Sequence, residues 1–266
     1  MTETISPQSD GGFLASHRPI VFEPDVHAAL WGDEEWLVSA HPSSPGRIVG
    51  AGNITLRDVW PDFPLLVKRI RAERRLSVQV HPGEIAARTV GGEPKSEMWC
   101  VIEPGPIFAG FRRGVTLLDV KRAVDDGSFE SLLARFDAKP GECYFIPAGL
   151  VHAIGDGTTV YEVQQSSDTT FRLYDWGRVD SHGRPRRLHV REALASIDLS
   201  LPPPTPSAAV SCSYFDFMQV TEGRLGASDT WRIVYTPSTR DSFLLPPGAA
   251  AALRAPSFLT TVKARG

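Results

Sequence analysis

The sequence predicts an all-β chain built around a metal site, and three observations lead there. The 266 residues include 23 Gly and 22 Pro, a turn-rich composition. Leu76 to His81 alternates apolar and polar residues, so a strand period of 2 puts Gln79 and His81 on one face. Glu97 opens the apolar run Glu97 to Ile102, and His152 follows the turn Pro147-Ala148-Gly149. Two imidazoles, a carboxylate and an amide oxygen on neighbouring strands form a four-ligand set for one divalent metal. The candidates are therefore Gln79, His81, Glu97 and His152.

Composition bounds the rest. The hydrophobic fraction is 42% and the charged fraction 22%, ordinary for a globular chain with a sizeable core. A net charge of −3 argues against nucleic acid or an anionic membrane as the main partner, while leaving room for a local cationic pocket. The first twelve residues lack an apolar signal core, and no apolar run nears the ~20 residues of a spanning helix. Cys100, Cys143 and Cys212 are odd in number and far apart, which reads as buried thiols in a reducing, cytoplasmic setting.

Taken in order, residues 1–16 read as a disordered lead-in. Strands are expected at Ile20 to Phe22, Trp36 to Ser39 and Arg47 to Val49, with a short helix capped by Thr55 over Leu56 to Trp60. Phe63 to Ile70 and Leu76 to His81 follow as strands, then a helical turn at Glu84 to Val90. Glu97 to Ile102 and Ile107 to Phe111 are again strands. Thr116 and Asp119 resemble a capping box for a helix ending at Gly127, and Ser128 can cap a second helix containing Leu132, Leu133 and Phe136. These two helices read as an insertion within a sheet. Strands resume at Glu142 to Ile146, His152 to Ile154, Val160 to Gln165 and Phe171 to Tyr174. A basic loop spans Arg178 to Arg187, where the arginines and His189 read as surface, and His189 to Ile197 reads as helix.

The run Pro202-Pro203-Pro204-Thr205-Pro206 is a stiff boundary. The domain expectation is a metal-binding domain over 17–200, a linker over 201–209 and a β subdomain over 210–266. About four short strands are expected after Cys212, with no site.

Gly141 to Asp156 reads G-x5-P-x-G-x2-H-x3-D, close to a motif of the cupins, small jelly-roll barrels that hold a metal inside. Gln79-x-His81 with Glu97 resembles a variant of the companion motif. Together with Lys95-Ser96-Glu97-Met98-Trp99 and Gln164 to Arg178, these segments resemble the type I, zinc-dependent mannose-6-phosphate isomerase family over roughly Pro19 to Ile197. The resemblance implies a cupin jelly-roll barrel with a short helical insertion. It also implies one Zn2+ per chain on Gln79, His81, Glu97 and His152, other divalent metals being possible. Family members usually carry a second barrel after the Pro-rich linker, so the short C-terminal stretch implies a reduced second β subdomain.

The family's active-site arginine falls on Arg172, with Asp168 four residues earlier; Lys95 and Ser77 fall on further positions used for substrate contact, proton transfer or phosphate binding. The implied activity is interconversion of mannose 6-phosphate and fructose 6-phosphate through an enediol-type intermediate, by a monomer or homodimer. A related sugar-phosphate isomerase, an iron-dependent cupin dioxygenase and a non-catalytic sugar-binding cupin are the alternatives. The intact ligand set, with Lys95 and Arg172 beside it, weighs toward the isomerase.

Overall fold

The computed structural model describes residues 17–263, so the lead-in expected over 1–16 lies outside the described residues. The chain is mostly β. Its first strands are β1 (Ile20–Val21), β2 (Asp25–Ala29), β3 (Gly32–Val38), β4 (Leu65–Ala72), β5 (Val78–Val80), β6 (Glu97–Glu103) and β7 (Gly105–Phe111). There follow β8 (Leu133–Ala138), β9 (Cys143–Ile146), β10 (His152–Ile154), β11 (Thr159–Gln165) and β12 (Phe171–Tyr174). The last are β13 (Ala209–Ser211), β14 (Phe215–Val220), β15 (Gly223–Leu225), β16 (Arg232–Thr236), β17 (Asp241–Leu245), β18 (Ala251–Leu253) and β19 (Ser257–Val262). Helices are short: α1 (Leu56–Val59), α2 (Glu84–Val90), α3 (Leu117–Asp126) and α4 (Val190–Ser196). No helix among the described residues is long and apolar enough to cross a membrane.

Two compact units divide the chain. One contains Glu35–Arg69 with the described parts of Met1–His27 and Ser207–Gly266; the other contains Ala28–Glu34 and Ile70–Pro206. The first unit holds a six-stranded sheet ordered β1-β17-β16-β19-β14-β13 and the ribbon β15-β18. Its apolar cluster gathers Val234, Leu245, Ala249, Leu253 and Leu259. The sequence places about four strands after Cys212; six are present there, because short, half-exposed pieces such as Gly223–Leu225 carry little alternation to detect.

The second unit positions the site. Its five-stranded sheet runs β12-β5-β10-β7-β8, and β6 lies between β11 and β9 in another sheet. Among the described residues these are open sheets, so the cupin-like architecture is present without one closed barrel. All seven residues of β11 are buried, as expected for a strand covered on both faces. On β5, Val78 and Val80 enter an apolar cluster with Phe108, Val151, Phe171 and Leu173, which leaves the polar face free.

Local chemistry explains most elements. Thr116 Oγ1 accepts from Asp119 N–H while the Asp119 carboxylate accepts from Thr116 N–H, and Gly127 (φ 77°) closes α3 in the left-handed region. Thr55 and Asp58 make the same box on α1. Two expectations change. The second insertion helix is only a 3-10 turn, Phe129–Leu132, and Leu133 to Ala138 instead forms β8 against β7. Leu132, Leu133 and Phe136 fit a helical face, but antiparallel pairing and burial of Leu133 decide the outcome. Arg47 to Val49 makes isolated bridges, Phe22 with Ile48 and Arg47 with Thr55, in place of a strand.

Candidate metal centre

Register brings the polar face of β5 to its neighbours. Gln79 is the Cα partner of His152 on β10 and of Arg172 on β12. His81 follows β5 directly and Ser77 precedes it. From the other sheet, Glu97 starts β6 opposite Gln164 of β11.

The turn that delivers His152 also fixes His81. Gly149 has φ +91°, and its N–H donates to the His81 carbonyl at 2.9 Å. A Cβ there would lie 3.1 Å from the Asp198 Cβ, so glycine is required twice over. At Gly92 (φ +83°) a Cβ would lie 2.5 Å from the Thr169 side chain. That closeness lets Thr169 Oγ1 accept from Glu93 N–H at 3.0 Å.

His81, Glu97 and His152, each about 1% exposed, offer three ligand atoms within 4.8 Å of one another. His81 Nε2 lies 3.1 Å from Glu97 Oε2, and His152 Nε2 lies 3.4 Å from Glu97 Oε1. Each ring's Nδ1 faces a backbone carbonyl, Thr169 O for His81 and Leu150 O for His152, both at 2.8 Å. A carbonyl only accepts, so Nδ1 carries the proton and Nε2 turns its lone pair inward.

Protonating the rings would not resolve this crowding. Burial pushes the His81 imidazole down to about 3, with Lys95 adding to the effect against the pull of Glu97, and burial likewise lowers His152. Burial also opposes ionisation of Glu97, but Lys95, His81 and His152 outweigh it and hold the carboxyl well below its ordinary value. Two neutral imidazoles thus aim lone pairs at a carboxylate. His81 Nε2 and both Glu97 oxygens are buried without a hydrogen-bond partner among the described residues. A divalent cation at their centre satisfies all of them, and the residues present fit a metal.

Gln79 is half-buried beside this cluster, with Nε2 3.4 Å from His152 Nε2 and Oε1 accepting from Ser77 Oγ at 3.3 Å. A half-turn of its carboxamide presents oxygen to the centre. Lys95 is buried, its Nζ 3.2 Å from Glu97 Oε2 and donating to Gln164 Oε1 at 3.1 Å. Arg172 donates from Nε to Ser77 Oγ at 3.2 Å and from Nη1 to Arg187 O at 3.0 Å. Asp175 is taken by Arg178 and Arg186, both at 2.5 Å, and Arg172 makes no ion pair among the described residues. Asp168 stands exposed on the β11–β12 loop, one residue before the Thr169 whose carbonyl holds His81.

Sequence reasoning missed three contributors. Gln164 holds Lys95 and donates from Nε2 to the carbonyls of Gln165 and Ser167. Trp99 donates to Glu162 at 2.9 Å and stands edge-on to His152, ring centroids 5.3 Å apart. His189 meets the backbone of Arg172. The available signal was period 2: Glu162 and Gln164 are polar at alternate positions in a strand that is buried throughout.

No protein-family model matches the sequence. The chain is 33% identical over 217 residues to mannose-6-phosphate isomerase ManA of Bacillus subtilis, covering 68% of this chain and 69% of that protein. It is 31% identical over 220 residues to a mannose-6-phosphate isomerase of Streptococcus mutans, covering 70% and 69% respectively. Among solved structures, mannose 6-phosphate isomerase from Bacillus subtilis matches with a TM-score of 0.79 at 24% identity, over 91% of this chain and 99% of that one. At that identity the structural match speaks for the fold.

Proposed function

The chain belongs to the mannose-6-phosphate isomerase family, and on that premise we propose that its buried centre catalyses metal-dependent interconversion of mannose 6-phosphate and fructose 6-phosphate. The observation that carries this reading is the buried convergence of ligand atoms from His81, Glu97 and His152, where neutral imidazole lone pairs face a carboxylate and a cation is the group that suits them all. We assign Gln79, His81, Glu97 and His152 as the residues that hold it, with Zn2+ the metal best suited to two imidazoles, a carboxylate and an amide oxygen. When bound, the ion supplies Lewis acidity toward the sugar's C1 and C2 oxygens.

The protein's own groups do the rest. His81 and His152 are kept neutral by burial and oriented by their Nδ1 bonds, so they reach the site ready to ligate. Lys95, buried against Glu97 and Gln164, is assigned as the donor to the oxygen on which charge develops as the enediol forms. Arg172, a half-buried guanidinium with no carboxylate of its own, is assigned to a substrate anion, and the phosphate is the group its planar fork suits. Ser77 braces that guanidinium through Nε. Asp168, exposed and one residue before Thr169, is assigned to sugar hydroxyls, since a carboxylate repels phosphate but accepts from hydroxyls.

Purified, zinc-loaded protein offered mannose 6-phosphate and unphosphorylated mannose tests this. Fructose 6-phosphate should form from the first, and the second should turn over far more slowly. Oxygen consumption, or no turnover of any sugar phosphate, would reject the reading.

A further inference from the structure

β12 is the edge strand of its sheet, so an outward N–H or C=O on it has no neighbouring strand to pair with. At Arg172 both groups go to a single residue. Arg172 N–H donates to His189 Nδ1 at 3.2 Å, and His189 N–H donates to the Arg172 carbonyl at 2.7 Å. Two residues earlier in the same segment, Arg187 O accepts from Arg172 Nη1 at 3.0 Å. From across the sheet, Ser77 Oγ accepts from Nε. Backbone and guanidinium of one residue are therefore held by the short stretch from Arg187 to His189.

The contact selects one ring nitrogen. A backbone N–H can only donate, so Nδ1 of His189 presents its lone pair and the neutral ring carries its proton on Nε2. Burial, with Arg172 and Arg187 close by, lowers the imidazole below its ordinary value, which favours that neutral form. The clamp is anchored as well. His189 caps α4, its carbonyl accepts from Ala193 N–H at 2.8 Å, and Ala193 is buried in the apolar cluster beneath β5 and β12.

We propose that His189 is a positioning residue of this enzyme: its Nδ1 and main-chain N–H together clamp Arg172 on the sheet edge and aim the guanidinium at the substrate's anionic group. Its kinetic consequence rests on the isomerase reading above, whereas the clamp itself can be measured without turnover.

The side chains of Asn and Gln separate the two ring nitrogens, because Asn Oδ1 takes the place of Nδ1 and Gln Oε1 that of Nε2. In the metal-loaded full chain, His189→Leu and His189→Gln should lower kcat by about 10- to 100-fold, the scale of a misplaced catalytic group, with metal content unchanged. His189→Asn should stay within about threefold of the parent. In an Arg172→Ala background, His189→Gln should produce no further loss, because the residue acts through Arg172. Amide exchange at Arg172, read by NMR or mass spectrometry, should quicken in the Leu and Gln variants and not in the Asn variant. If the Leu variant does not fold, the Gln and Asn pair carries the test.

Equal damage by Asn and Gln, a further loss in the Arg172→Ala background, or unchanged exchange at Arg172 in the Gln variant would overturn the proposal. If the parent protein turns over no sugar phosphate, the isomerase reading falls, and the exchange measurement still decides the clamp.

Discussion

Glu97 and Gln164 stand opposite each other in the antiparallel β6–β11 ladder, and both reach the same ammonium. Lys95 Nζ lies 3.2 Å from Glu97 Oε2 and 3.1 Å from Gln164 Oε1. The carboxamide has no freedom to turn away, since its Nε2 donates to two backbone carbonyls. Lys95 is thereby fixed, buried, at the edge of the ligand cluster, where we assign it to the charge that develops during the proposed reaction.

Replacing that ammonium isolates its contribution. Lys95→Met keeps the length of the stem and removes the charge, so kcat should fall at least ~10²-fold. Metal content, read by elemental analysis after gel filtration, should stay at the parental level. A variant with parental kcat would show that Lys95 only neutralises Glu97.

Removing a ligand gives the opposite pattern. In His152→Ala the metal affinity should drop at least ~10²-fold, more than is typical for losing a partner outside the ligand set. The metal-dependent rise in melting temperature should vanish with it. Full metal occupancy after dialysis would remove His152 from the ligand set.

At Arg172 the shape of the cation matters as well as its charge. Arg172→Ala should lower kcat/KM by about 10²-fold or more, and Arg172→Lys should restore only a part, because an ammonium lacks the planar fork. Steady-state kinetics on mannose 6-phosphate read both. Complete rescue by lysine would leave the guanidinium geometry without a role.

Acid stability depends on Asp175. Burial opposes its ionisation, but bonds from Arg186 and Arg178 prevail and hold its carboxyl below the ordinary value. The folded pKa therefore lies below the unfolded value of about 3.9. The stabilisation is complete above that value and is lost as pH falls through the folded pKa. Asp175→Asn should cost about 1.5–3 kcal/mol near neutrality, the scale of hydrogen bonds to a charged group. Melting temperatures should show the gap to the parent narrowing below about pH 4; a gap independent of pH would contradict the assignment.

Much of the site was legible because strand geometry is short-ranged and regular. A period of 2 puts Ser77, Gln79 and His81 on one face, and the apolar Val78 and Val80 between them enter the core as that pattern requires. The Pro147-Ala148-Gly149 turn is written in glycine's positive φ. What escaped depends on partners distant in sequence. β8 was read as a helix because Leu132, Leu133 and Phe136 suit a helical face, while its strand state comes from pairing with β7, from Phe111 with Leu133 to Gly105 with Ala138. His189 sits in a run of mostly exposed residues rich in arginine, and only the edge position of β12 leaves the Arg172 N–H for its Nδ1 to accept. Gln164 looks like a polar strand residue until Glu97 is found opposite it.

The central claim is that one cation among His81, Glu97 and His152 makes this chain an isomerase. It is tested most directly by titrating metal-stripped protein with Zn2+ while following mannose 6-phosphate by NMR under argon. Fructose 6-phosphate formation should be absent at the start, rise linearly and saturate at about one equivalent per chain, at the same rate in air. Turnover by the stripped protein, or no turnover once one equivalent is bound, would contradict the account.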